Sequence, residues 1–152
     1  MELTTQDVQN LAVLLGASEE VAATIAADYT DSLKAYRAQH TVIDGDRWLV
    51  LTLICYGIDV DGDLQPETFK SSSVAPIEIT SREQISSALQ EVPLTERFCF
   101  LLRYLLKWEI RRIAKLLDFE GQSVELAIAH ALYKIREQIL STMQVGAANA
   151  IG

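Results

Sequence analysis

Four basic side chains that follow one another closely are the residues of this chain best suited to chemistry with a ligand. They are Lys107, Arg111, Arg112 and Lys115. Arg111 and Lys115 lie four residues apart and share a face if the segment is helical, with Arg112 about 100° further round. Such a cluster suits phosphate groups of nucleic acid or carboxylates of an acidic partner, including the acidic N-terminal part of this chain. A solvated helix face is the alternative.

The segment that follows the basic cluster, "QSVELAIAH", has a different chemistry. Gln122 and Ser123 could hydrogen-bond to a phosphate or a base. The remaining outward candidates are a carboxylate, apolar groups and an imidazole, which suit a protein surface better than a polyanion. From this segment we expect interface residues at Glu125, Leu126, Ala129 and His130.

Catalytic and metal-binding patterns are weak throughout the chain. Cys99 and His130 could form a nucleophile pair, but Cys99 lies between two phenylalanines, and an apolar setting makes a thiol inert. The acidic stretch at 59–63 resembles half of a calcium loop. The two end positions of that loop, Gly57 and Thr68, are not carboxylates. We therefore expect a non-enzymatic protein with no metal and no cofactor.

Charge is distributed unevenly over the 152 residues. Residues 1–91 hold 15 acids and 5 bases, a balance of −10, whereas residues 92–152 hold 6 acids and 8 bases, a balance of +2. A net charge of −8 argues against a phosphate-binding surface that dominates the molecule. The absence of a basic start before the first apolar run, and of any apolar run as long as a membrane span, predicts a cytoplasmic protein without membrane contact. Both cysteines, Cys55 and Cys99, lie in apolar runs and are expected to be buried.

The elements that must position these residues are predicted to be all helical. Residues 1–58 form an N-terminal helical group, with Thr4 or Thr5 capping the first helix and Ser18 the second. The second helix carries an apolar stripe, formed by Val21, Ala22, Ile25, Tyr29, Leu33 and Tyr36. The apolar run Trp48–Ile58 is predicted to be a buried helix. Residues 59–80 are predicted to form an acidic loop or linker, because prolines, serines and acids crowd there.

Residues 81–142 are predicted to form a second helical subdomain, followed by a tail at 143–152. Within it, "EIRRIAKLL" and "SVELAIAHALYKI" form a helix-turn-helix whose turn contains Gly121. The inward residues are predicted to be Ile113, Leu116 and Leu117 from the first helix and Val124, Ile128 and Leu132 from the second. The preceding segment, "FCFLLRYLLKW", is apolar on nearly all sides, so neighbouring helices or another subunit must cover it. It adds Phe98, Leu105 and Trp108 to the expected protein interface.

Residues 93–137 resemble the C-terminal DNA-binding domain of bacterial sigma factors. The similarity is carried by positions spread over the whole segment, namely Pro93, Arg97, Leu102-Arg103-Tyr104, Ile113-Ala114, Leu117, Ser123-Val124, Ala131-Leu132 and Ile135-Arg136. The resemblance implies a helix-turn-helix whose second helix enters the major groove, and a surface that docks on a flap of RNA polymerase. This chain departs from the family at the start of that helix, where Glu125 and apolar residues replace basic and polar ones.

We therefore expect a regulatory or adaptor protein that uses a sigma-like scaffold for contact with another protein, either a second copy of itself or a component associated with RNA polymerase. A dimeric DNA-binding regulator is the first alternative. It would contact DNA weakly through the four basic residues together with Gln122 and Ser123. A structural subunit of a larger assembly is the second.

Overall fold

The computed structural model describes residues 3–39, 42–62 and 82–151, with side chains for all of these except 82–85 and 142–151. Within these ranges the chain is helical and contains no strand, which confirms the all-α prediction. The described residues form seven helices: α1 (Thr5–Leu14), α2 (Glu19–Ala38), α3 (Gly45–Cys55), α4 (Arg82–Leu89), α5 (Leu94–Tyr104), α6 (Ile110–Leu117) and α7 (Gly121–Ile151). Of the helices searched in the described residues, none combines the length and apolarity that crossing a bilayer requires.

The first two helices begin where polar side chains can cap them. The Thr4 hydroxyl accepts from the Asp7 amide at 3.1 Å, and the Asp7 carboxylate accepts from the Thr4 amide at 3.2 Å, which completes a capping box. Ser18 caps α2 by accepting from the Val21 amide at 3.2 Å. Gly16, at a φ of +115°, turns the chain between the two helices. These starts confirm the predictions made from the cap residues.

Burial of α2 and α3 is narrower than predicted. On α2 the apolar stripe is buried from Ala22 to Leu33, whereas its two ends, Val21 and Tyr36, are 41% and 45% exposed. On α3 only one face is inside, and Leu51 remains 43% exposed. Cys55, at the end of that helix, is exposed, which corrects the expectation that both thiols are buried. The apolar run is predicted to form a buried helix, whereas α3 is buried on one face and leaves Leu51 and Ile54 exposed.

Helix α5 is buried along most of its length by the chain itself. Its residues from 95 to 102 are all buried, and α6 and α7 pack against it. Phe98 is completely buried and Trp108 is 4% exposed, so both expected interface residues belong to the core and are removed from the candidate interface. The chain has an N-terminal half, α1 to α3 with the residues up to 62, and a C-terminal half, α4 to α7. The buried apolar residues of both halves form one continuous cluster. The two predicted helical groups therefore share a core.

Polar contacts also join the two halves, and a buried arginine makes the best-placed ones. Arg97 is 7% exposed and donates to the carbonyl oxygens of Leu15 at 3.1 Å and Val92 at 2.8 Å. Further bonds reach the Gln90 carbonyl at 3.2 Å and its side-chain oxygen at 3.4 Å. Burial lowers the pKa of Arg97, although the group stays cationic because its ordinary pKa lies far above neutrality. Carbonyl dipoles that follow α1 and α4 compensate this charge.

The predicted linker and tail have different outcomes. Residues 59–62 are not helical, and the Gly62 amide donates to the Thr95 hydroxyl of α5 at 3.1 Å. Residues 63–80 lie outside the described residues, as does the predicted helix start at Ser81. The tail predicted at 143–152 is corrected in part, since α7 continues without a break to Ile151.

Replacing Arg97 by methionine should destabilise the fold strongly. Three buried or half-buried carbonyl oxygens would lose a donor, and each unsatisfied group costs about 1–3 kcal/mol. We expect the free energy of unfolding, measured in urea, to fall by about 3 kcal/mol.

Arg111→Met is the matched control, because Arg111 is exposed and its replacement should change stability by no more than about 0.5 kcal/mol. A loss below about 1 kcal/mol for Arg97→Met would show that the buried arginine does not hold the halves together.

Candidate functional site

Helices α6 and α7 form the predicted helix-turn-helix. Ile113, Leu116 and Leu117 are all buried, as the sequence pattern predicted. Asp118 ends α6 with a φ of +57°, and Gly121 begins α7. The left-handed residue of the turn is therefore Asp118 and not the glycine, and aspartate is one of the few residues that tolerate this conformation.

The inward face of α7 agrees with the prediction at its start and departs from it further on. Val124 and Ile128 are buried, whereas Leu132 is only partly buried. Ala131 and Ile135 continue the buried stripe instead. Four residues are slightly more than one helical turn of 3.6 residues, so positions spaced strictly by four drift around the helix and leave the buried face.

The outward face of the leading edge of α7 is acidic and apolar. Gln122 and Glu125 are exposed, Leu126 is 51% exposed, and Ser123 and Ala129 are half-buried. The turn before the helix adds two exposed carboxylates. We name the surface formed by Asp118, Glu120, Glu125, Leu126 and Ala129 the acidic-apolar patch. Its three carboxylates, at Asp118, Glu120 and Glu125, are all exposed.

His130, expected at an interface, is bound inside the chain. Its Nδ1 lies 2.7 Å from a carboxylate oxygen of Glu96 on α5, and the two side chains are only 14% and 6% exposed. This contact joins α5 to α7 and removes His130 from the acidic-apolar patch. Leu105 remains half-buried at the end of α5.

The four basic residues do not form one free surface. Lys107, Arg111 and Lys115 are exposed, whereas Arg112 is half-buried. A cleft of about 460 Å³ runs along this face between the two halves of the chain. Its walls hold both charges, from Asp44, Asp46, Arg47, Glu109, Arg111, Arg112 and Lys115, together with Leu116.

Arg112 is held by the acidic N-terminal half. Its Nε and one terminal nitrogen donate to the two carboxylate oxygens of Asp46 at 2.8 and 2.7 Å. The guanidinium also lies over the Trp108 ring, 3.7 Å from its centroid. The hydrogen bond to Asp46 raises the pKa of Arg112 further, so the group is cationic at any working pH. Of the partners considered for the basic cluster, Arg112 therefore binds the acidic N-terminal part of the same chain.

The sequence contained only faint signals for the other polar residues that the fold uses. Asp46 lies in the short stretch "DGD", and nothing in that stretch indicates a partner. Arg97 was one of many positions similar to the sigma-factor domain, and Glu96 had no predicted role. The acid at the start of α3 and the base on α6 are 66 residues apart, so no local pattern could pair them.

The two residues considered as a nucleophile pair, Cys99 and His130, both lie in settings that disfavour that role. Burial, reinforced by the charge of Glu96, raises the pKa of Cys99 to about 12, and His130 is committed to Glu96. No group of three or more His, Cys, Asp or Glu suited to a metal occurs in the part of the chain that the structure describes.

The C-terminal part of the chain is thus a compact helix-turn-helix domain in which α5 and α7 are buried against each other. Residues 82–135 match the family model described as Sigma-70, region 4, and this confirms the resemblance and extends it to α4. Domains of this family interact with DNA and RNA polymerase and are regulatory rather than catalytic, so the match indicates a transcription-related role. Neither the curated proteins nor the solved structures yielded a significant match to the chain.

The two thiols should differ sharply in reactivity. With a pKa near 12, almost none of Cys99 is thiolate at a pH of about 8, and burial also blocks access, whereas Cys55 is exposed. In the folded protein we expect a disulfide reagent to label Cys55 rapidly and Cys99 only after unfolding.

Cys55→Ser isolates the second thiol and should abolish rapid labelling, with one thiol appearing in denaturant. Rapid labelling of the folded Cys55→Ser protein would restore Cys99 as a candidate nucleophile.

Proposed function

We propose that this chain is a non-enzymatic transcription regulator whose helix-turn-helix domain binds a protein through the acidic-apolar patch. The match to sigma region 4 supports the transcription-related part of the proposal. The chemistry of the patch supports contact with a protein. A working place in the cytoplasm, where RNA polymerase operates, accords with this role.

The observation that carries the proposal is the surface presented by the first turns of α7. Gln122 is its one exposed neutral hydrogen-bonding side chain, and Glu125 is exposed beside it. A carboxylate at the phosphate backbone is repelled, and DNA binding draws most of its affinity from basic side chains that neutralise phosphates. Leu126 is 51% exposed, and its removal from water by a partner would stabilise the complex.

The negative charge of the acidic-apolar patch also indicates the chemistry of the partner. An exposed leucine that follows Glu125 on α7, with Asp118 and Glu120 exposed in the preceding turn, suits an apolar pocket bordered by lysine or arginine. A two-fold dimer through this patch would place like charges against each other, because such interfaces are isologous. We therefore favour a different protein, associated with RNA polymerase, over a second copy of this chain.

DNA binding remains the second candidate because three basic side chains are exposed on α6 and the loop that leads to it. Lys107, Arg111 and Lys115 could each neutralise a phosphate. Binding of this type would be weak, independent of sequence and strongly dependent on salt.

A binding assay with purified RNA polymerase core enzyme tests the proposal. Leu126→Arg places a charge in the apolar contact and should weaken binding by about tenfold or more, which corresponds to at least about 1.4 kcal/mol. Biolayer interferometry at physiological salt, with the full chain immobilised, measures the loss.

Leu51→Arg is the matched control, because Leu51 is a similarly exposed leucine, at 43% against 51%, on a different helix. It should leave binding unchanged. Selection from a random duplex library run in parallel should enrich no sequence. Enrichment of a defined sequence bound at nanomolar affinity, and lost on Gln122→Ala, would contradict the proposal.

A further inference from the structure

The basic face of α6 is already occupied by an acidic element of the same chain. Asp44 and Asp46 share the cleft with Arg111, Arg112 and Lys115, and Asp46 makes the bidentate contact with Arg112. A carboxylate that accepts two parallel N–H bonds from an arginine has the same geometry as a phosphate in that position. Asp46 thus takes the place that a phosphate oxygen pair would take on this helix.

The acidic element is fixed in place by its own helix. Asp44 is the N-cap of α3, and its carboxylate accepts from the Asp46 amide at 3.0 Å. Asp46 stands in the first turn of α3, where the helix dipole favours a negative charge. The next residue, Arg47, reaches across to the Leu116 carbonyl of α6 at 3.5 Å and lies 3.8 Å from Asp61. Two adjacent residues, Asp46 and Arg47, therefore hold the start of α3 against α6 by polar contacts with Arg112 and with the Leu116 carbonyl.

The contact is nevertheless open to competition. The side chains of Arg112 and Asp46 remain 34% and 25% exposed, so water and salt reach the pair. Partly exposed pairs of this kind are weak, and a polyanion with several phosphates can exchange for a single carboxylate. Arg111 and Lys115 border the same cleft and are exposed, so they could hold neighbouring phosphates at the same time.

We propose that the Asp44–Asp46 segment is an intramolecular phosphate mimic that masks a non-specific nucleic-acid-binding face on α6, formed by Arg111, Arg112 and Lys115. Duplex phosphates bind this face when the start of α3 withdraws from it. The masked face lies on α6 and is independent of the acidic-apolar patch on α7, so this inference does not rest on the proposed function.

The test compares duplex binding of the full chain with that of Asp44→Asn/Asp46→Asn. Asparagine keeps the N-cap of α3 and the volume of both side chains while it removes the two charges. With a short labelled duplex of arbitrary sequence, fluorescence anisotropy should show affinity at about 50 mM salt rising on the order of tenfold. The slope of log affinity against log salt should steepen by about 1 to 2.

A matched control separates the local effect from the change in net charge. Glu20→Gln/Asp31→Asn removes the same two charges from exposed positions on α2 and should give a gain of less than about twofold. Arg112→Gln, added to the Asp44→Asn/Asp46→Asn variant, should abolish most of the gain, because it removes the side chain that the mutation releases.

Three results would overturn the inference. One is an equal gain in the control variant, and another is no gain in Asp44→Asn/Asp46→Asn. The third is a gain that survives Arg112→Gln. Competition by poly-glutamate as strong as that by duplex, at equal charge concentration, would assign the face to an acidic protein and contradict the choice of nucleic acid.

Discussion

Burial of α5 on all sides is the constraint on which the rest of the structure depends. Because its residues from 95 to 102 are all buried, other parts of the chain must cover α5, and its contacts reach α6, α7 and the Leu15 carbonyl of the N-terminal half. The core is accordingly continuous, and Arg97, a buried basic side chain, donates to carbonyl oxygens from both halves. The helix-turn-helix therefore shares its core with the N-terminal helices. One of their residues, Asp46, contacts Arg112 on its surface.

The domain matches the sigma region 4 family, but the residues on its surface differ from those of a DNA-binding helix-turn-helix. The inward residues of α6 and α7 keep the helix-turn-helix packed, and they lie within the segment that matches sigma region 4. The outward residues are free to change without loss of the fold. Here Glu125 and Leu126 stand at the leading edge of α7, and Asp46 covers Arg112 on α6. In our account both changes turn the scaffold away from sequence-specific DNA reading.

Local patterns predicted the helices well because caps and turns act over a few residues. Thr4, Ser18 and the triplet Ile113, Leu116 and Leu117 each had a local physical reason, and the structure agrees with all of them. Burial of whole faces was harder to predict, since it depends on which helix packs where. Cys55 and Phe98 show this in opposite directions, one exposed at the edge of the core and the other enclosed by it.

The candidate site was predictable in its composition but not in its pairings. The carboxylate and leucine at the start of α7 are visible in the sequence and lie on the surface as expected. The partners of Arg112 and His130, namely Asp46 and Glu96, come from distant segments, and only the packing of helices brings them together. In this structure the two contacts occupy one residue of the predicted basic cluster, Arg112, and one residue of the predicted protein interface, His130.

A photoreactive amino acid at position 126 would show whether this surface contacts protein or DNA when the full chain is mixed with RNA polymerase core enzyme and duplex DNA together. We expect the cross-link to form to a protein subunit, at a site beside lysine or arginine residues. A cross-link to the bases of the duplex, formed at physiological salt, would contradict this expectation.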